Sequence, residues 1–253
     1  LLVRLLATTM AADAPRLAAT ALARLANGHA QTQEAIVAEA DAIPRLVAMV
    51  DLAAARRQSQ EAIMPDSLPP GAATSTPLAP AALPAAAVTT SLATVAPSLA
   101  EPAMAGRMQE AASDALRRLL ELGSARRALA ACDGIRSMVR LLASTDAAAR
   151  RHAEHALVLL AADGANRELI IRQLVDMLHG GKFSVEAREQ AAGSLAQLAT
   201  ADAENCRSLV AADGLQPLLA LLQETSSRAK EHALVALTAL AKASPANQVA
   251  IAE

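Results

Sequence analysis

Tryptophan and tyrosine are absent from these 253 residues, and phenylalanine occurs once, at Phe183. Binders of single-stranded nucleic acid stack bases on such rings, so that class loses its usual platform. Charge offers no substitute. The 23 basic and 25 acidic residues leave a formal net charge of −2, too little to gather nucleic acid or an anionic membrane surface. Cysteine is scarce as well: Cys132 and Cys206 stand alone, with no CxxC and no cluster of ligands around either. That excludes a disulfide framework and a zinc site, and leads us to expect an intracellular, cytoplasmic setting, with the nucleus open. No run of about 18 to 20 apolar residues occurs, so no direct membrane insertion is expected. The opening LLVRLLATTMAADA lacks an initiator Met and a basic n-region. It therefore reads as part of a repeat, not as a secretory signal, and the chain as a fragment of something longer.

Hydrophobic residues nevertheless make up 53% of the chain, nearly all of them Ala and Leu. Both are strong helix formers and β-branched residues are few, which indicates an all-α protein. Alanine buries little surface, and at roughly 25 cal/mol per Å² such a core predicts modest stability.

Two short patterns recur. The first, apolar-apolar-x-apolar-apolar, lies at 2–6, 46–50, 138–142, 174–178 and 218–222. The second, small-x-x-small-Leu-x-x-Leu, lies at 18–25, 112–119, 153–160, 191–198 and 233–240. Each has helical spacing and puts its apolar members on one face. From the start of the first to the first Leu of the second, the steps run 2 to 22, 46 to 116, 138 to 157, 174 to 195 and 218 to 237. Four steps are 19 to 21 residues and one is 70, so the chain is an array of repeats whose second member is opened by about 50 residues. The fullest copy is 201–242, ADAENCRSLVAADGLQPLLALLQETSSRAKEHALVALTALAK.

Read in order, Asp13 and Pro15 open a helix that runs to about Ala26, where Asn27-Gly28 stops it. A short helix over 34–40 follows, and then another with Pro44 at its opening. The organisation is therefore 1–64, holding the first unit and part of the second; an insertion at 65–102; and 103–253, holding the remainder through the start of a sixth unit. Proline crowds the insertion, which reads as disordered or polyproline-like. It is a spacer in preference to a docking segment, since only Pro77-Leu78-Ala79-Pro80 has PxxP spacing and no Arg or Lys flanks it. Asp133-Gly134 aligns with Asp213-Gly214, and the Gly is expected to take φ > 0 at the turn. The fourth unit lacks that turn: Leu157 to Leu174 spans 17 residues against 22 to 24 elsewhere, so its first helix is shortened or fused to its second.

A unit of about 40 residues, with a short helix, a Gly turn, an LVxLL helix and a long AxxALxxL helix, resembles the armadillo repeat. AADGLQPLLALL and EADAIPRLVAMV look like its first-to-second helix junction. The resemblance covers nearly everything outside 65–102, and HEAT repeats are the nearest rival. It implies a right-handed superhelix whose third helices line a concave groove for extended peptides or protein surfaces. Nuclear-import adaptors of this family carry an Asn ladder there, with a Trp four residues earlier. Here those columns read Arg24, Arg118, Leu159, Gln197, Ala239 and Thr20, Asp114, His155, Gly193, Val235. Neither ladder is present, so binding in the groove must use other chemistry.

No Ser/His/Asp context, phosphate loop or carboxylate pair indicates catalysis, and no cofactor is implied. His152 and His155 flank Glu154 on one helix, but HAEH is not HExxH and no further ligand completes a metal site; the pair reads as solvated and groove-facing. Gly180-Gly181 reads as a turn, with Ser184 capping the next helix. The Arg117-Arg118, Arg126-Arg127 and Arg150-Arg151 pairs read as solvated helix faces. Candidate groove residues are Arg24, Asp114, Arg118, Arg151, His155 and Gln197, of which Arg24, Arg118, Arg151 and His155 suit acidic or phosphorylated groups. The expected function is a monomeric, non-catalytic scaffold for a partner protein or peptide. The alternatives are the substrate-recruiting region of a U-box-type ubiquitin ligase, which needs a U-box upstream, and an organelle-membrane tether, which needs an acylation signal.

Overall fold

The computed structural model describes residues 3, 14–27, 29–61, 104–179 and 183–252. The insertion read at 65–102, the Gly180-Gly181 turn and all but Val3 of the first apolar pattern lie outside them. The described residues form helices and no β-strand: α1 (Ala14–Leu25), α2 (Ala30–Ala38), α3 (Ala42–Glu61), α4 (104–119), α5 (Gly123–Ala131), α6 (Gly134–Leu141), α7 (Ala147–Leu160), α8 (Gly164–Leu178), α9 (Val185–Ala201), α10 (Ala203–Ala211), α11 (Leu215–Leu221), α12 (Ser227–Ala243) and α13 (Pro245–Ala252).

They stack in two files. The LVxLL-type helices α3, α6, α8 and α11 pack one on the next, while α7, α9 and α12 do the same behind them. Each file buries what its pattern predicts. In α12 the buried residues are Ala229, Ala233, Ala236, Leu237 and Leu240, and in α7 they are Ala149, Ala153, Ala156, Leu157 and Leu160. Small Ala side chains let neighbouring backbones approach, so close packing replaces bulk in this core.

Side-chain oxygens start most of the long helices. Asp146 accepts from the amides of Ala148 and Ala149, Ser184 from Ala187 and Ser226 from Ala229. Each satisfies donors that a helix start leaves open. At the other end, the carbonyls of the long helices are met by the helix that follows. Gln33 Nε2 donates to Ala26 O at 2.8 Å, Asn205 Nδ2 to Leu198 O at 2.7 Å and Asn247 Nδ2 to Leu240 O at 2.9 Å. Arg126 does the same for Leu120 O at 2.9 Å, and Arg167 for Ala161 O at 3.3 Å. Every corner between units is thereby fastened.

The Asp-Gly turns differ from expectation. Positive φ falls on Asp133 (58°) and Asp213 (56°), and Gly214 has φ −72°. Glycine is needed for a different reason: a Cβ on Gly214 would sit 2.3 Å from Leu209 Cδ1, and one on Gly134 would sit 2.5 Å from Leu129 Cγ. The core leucine of the preceding short helix fills the space. Where the fourth unit lacks this turn, one 15-residue helix, α8, replaces two, capped by Asp163 and burying Ile170, Ile171, Leu174, Val175, Met177 and Leu178 along one side.

Candidate functional site

Four of the long helices, α1, α4, α7 and α9, carry the six candidate residues. Because their Ala and Leu columns point into the stack, the columns between face outward, and Arg24, Arg151, His155 and Gln197 are exposed. The only side-chain hydrogen bond of Arg151 among the described residues is a long one to its own helix, from Nε to Ala147 O at 3.4 Å.

Asp114 and Arg118 are brought together and are not free. Arg118 Nε donates to both Asp114 oxygens, at 3.1 and 3.0 Å, and its NH1 reaches Asn27 Oδ1 at 2.6 Å. Arg117 donates to Asp114 at 2.9 Å. Burial is the largest influence on the Asp114 carboxyl and works against its charge. The two arginine hydrogen bonds and the Arg118 charge outweigh it, so its pKa lies below the ordinary value. Arg118 thus fastens α4 to the end of α1, which leaves little of its guanidinium for a partner.

His152 is not the solvated residue the sequence suggests. Its ring is half-buried in the seam between α4 and α7, with Nδ1 3.1 Å from Ser113 Oγ and Nε2 3.8 Å from Asp114 Oδ1. The Ser113 hydroxyl donates to Glu110 O, so the Nδ1–H donates to Ser113. Desolvation is the main cause holding the His152 pKa below its ordinary value; Asp114 opposes it, while Arg117 and Arg151 add to it. His232, in the same column, lies over Gly193 of α9, where a Cβ would meet its ring at 3.3 Å. These histidines fill seams between repeats. The paired arginines are also committed: Arg126 and Arg150 donate to the carbonyls of Leu120 and Ser144.

Sequence reasoning overlooked a groove between the end of α9, the start of α10 and α12. Glu231, Leu234, Val235, Thr238 and Lys242 line one side, and Thr200 and Asp202 the other. Leu234 is 54% and Val235 43% exposed. A signal existed: at these two positions the other units carry Ala19-Thr20, Ser113-Asp114, Glu154-His155 and Ala192-Gly193, and only this unit has two large aliphatic residues. Burial raises the pKa of the Cys206 thiol beside the groove and that of Cys132, which disfavours the thiolate at both. Among the described residues no group of three His, Cys, Asp or Glu could hold a metal ion. No helix among them is long and apolar enough to cross a membrane.

No family model matches the chain, and no curated protein matches it. Solved structures do. An engineered protein from a structural genomics consortium superposes with TM-score 0.56 at 19% identity, over 99% of this chain and 84% of that one. A computationally designed armadillo repeat protein, described as made for modular peptide recognition, superposes with TM-score 0.55 at 17% identity, over 99% of this chain and 85% of that one.

Proposed function

From an all-α armadillo-type solenoid as premise, we propose that the chain is a non-catalytic scaffold holding a protein or an extended peptide against the face of its long helices. One observation carries the reading: the outward columns of α1, α7, α9 and α12 expose Arg24, Arg151, His155, Gln197 and Val235, while the Ala and Leu columns of the same helices are buried in the stack. A file of exposed side chains on a stacked, rigid support presents contacts at fixed spacing, the arrangement that extended partners need. The similar fold of a protein designed for peptide recognition supports it. Arg151 and His155 lie four apart on α7 and form a site for a carboxylate or phosphate, with Arg24 a second cation further along.

The test is selection of a displayed random-peptide library on the full chain, followed by hydrogen exchange of the complex. Protection is expected on α7, α9 and α12. Protection confined to α3, α6 and α11 would place binding on the other file and defeat the proposal.

A further inference from the structure

Glu231, Val235, Thr238 and Lys242 stand three or four residues apart and so form one line along α12. All four line the groove against α9 and α10, with Leu234 beside them. The middle of the line is aliphatic and half open to water: Leu234 and Val235 are adjacent, whereas the other exposed large hydrophobic side chains among the described residues stand singly along the chain. The ends are charged and opposite in sign. At 1.5 Å per residue, Glu231 and Lys242 are about 16 Å apart along the helix, and neither belongs to an ion pair with another described residue.

Recognition by a Trp and Asn pair is unavailable here, because those columns hold Val235 and Ala239. What remains is burial of an apolar side chain between two charges. An extended peptide advances about 3.3 Å per residue, so about five residues cover the distance. We propose that the groove takes a short extended peptide whose central Leu or Ile side chain sits on Leu234 and Val235, with a basic residue at the Glu231 end and an acidic one at the Lys242 end. Asp202 is engaged by Arg167 at 3.8 Å, and Lys242 is the one cation among the described residues of the lining, enough for a carboxylate and too little for a phosphate beside Glu231. The proposal rests on the scaffold reading and adds the chemistry of the partner.

The same random-peptide selection on the full chain separates the two. Enriched peptides are expected to carry an aliphatic residue between a base and an acid, to shift the methyl resonances of Leu234 and Val235, and to lose roughly tenfold or more in affinity on Val235→Lys while keeping it on Arg151→Glu. Val235 is exposed, so the substitution spares the core, and an unchanged melting temperature verifies this. Glu231→Lys supplies a second readout: selection on that variant is expected to favour peptides acidic at both ends. Acidic peptides that survive Val235→Lys and are lost on Arg151→Glu would overturn this inference and leave the scaffold standing. A library from which nothing is enriched would remove both.

Discussion

Two glycines separate conformational need from spatial need. Gly214 has an ordinary helical φ, yet a Cβ there would overlap Leu209, so Gly214→Ala is expected to destabilise by about 1–3 kcal/mol in urea unfolding. Gly164, in the first turn of α8, has nothing within 4 Å of where a Cβ would lie, so Gly164→Ala is expected to stabilise by up to about 1 kcal/mol. The sequence marked Gly214 as special for a positive φ, which falls on Asp213 instead; the real reason, overlap with Leu209, depends on tertiary approach and is invisible to spacing. His152 gives a pH dependence. Its folded pKa lies below the ordinary 6.5, so as pH falls through that value the unfolded chain binds the proton first and stability declines. Asp114, also lowered, continues the loss at more acid pH, as the folded state resists protonation there too. Glu154 runs the other way: burial, its largest influence, raises its pKa against Arg150, Arg228 and Arg151, which lessens the loss near its titration. The melting temperature is expected to fall between about pH 7 and 5, and to fall less in His152→Asn, which keeps a donor for Ser113.

At the scale of helices, apolar spacing revealed most of the architecture. The column at 153–160 became α7, that at 191–198 became α9 and that at 233–240 became α12, because one face of each had to be buried whatever its neighbours were. The missing Asp-Gly turn pointed to a first helix shortened or fused to the second, and in α8 the two are one helix. Polar side chains were less legible, since partners distant in sequence are invisible to spacing. Arg118 looked available until Asn27, 91 residues away, was found beside it. Asp51 bonds Ser137 and Arg140 across 86 and 89 residues, tying α3 to α6. The corners were equally hidden, since nothing in the spacing marks Asn205 as the partner of the Leu198 carbonyl. Its removal in Asn205→Ala is expected to cost about 1–2 kcal/mol in thermal or urea unfolding, as the Leu198 carbonyl loses its donor.

Across the whole molecule, stability is a sum over neighbours, so position in the array matters as much as composition. Leu25 of α1 is 47% exposed, while its counterparts Leu119, Leu160 and Leu240 are fully buried. At the other end, α13 buries none of its residues. Amide exchange is expected to be fastest in α13 and slowest in α8 and α9, which have neighbours on both sides; uniform protection along the chain would contradict an additive array. The corner hydrogen bonds bear on how such repeats can be exchanged. Each joins the last turn of one unit to the first helix of the next, seven residues on in the amide cases, so a cut at the apparent boundary divides a donor from its acceptor. Grafts that break the chain in the turn before α6 or α11 carry the fastening intact. The interchangeable module therefore begins at a second helix and ends with the first helix of the unit that follows.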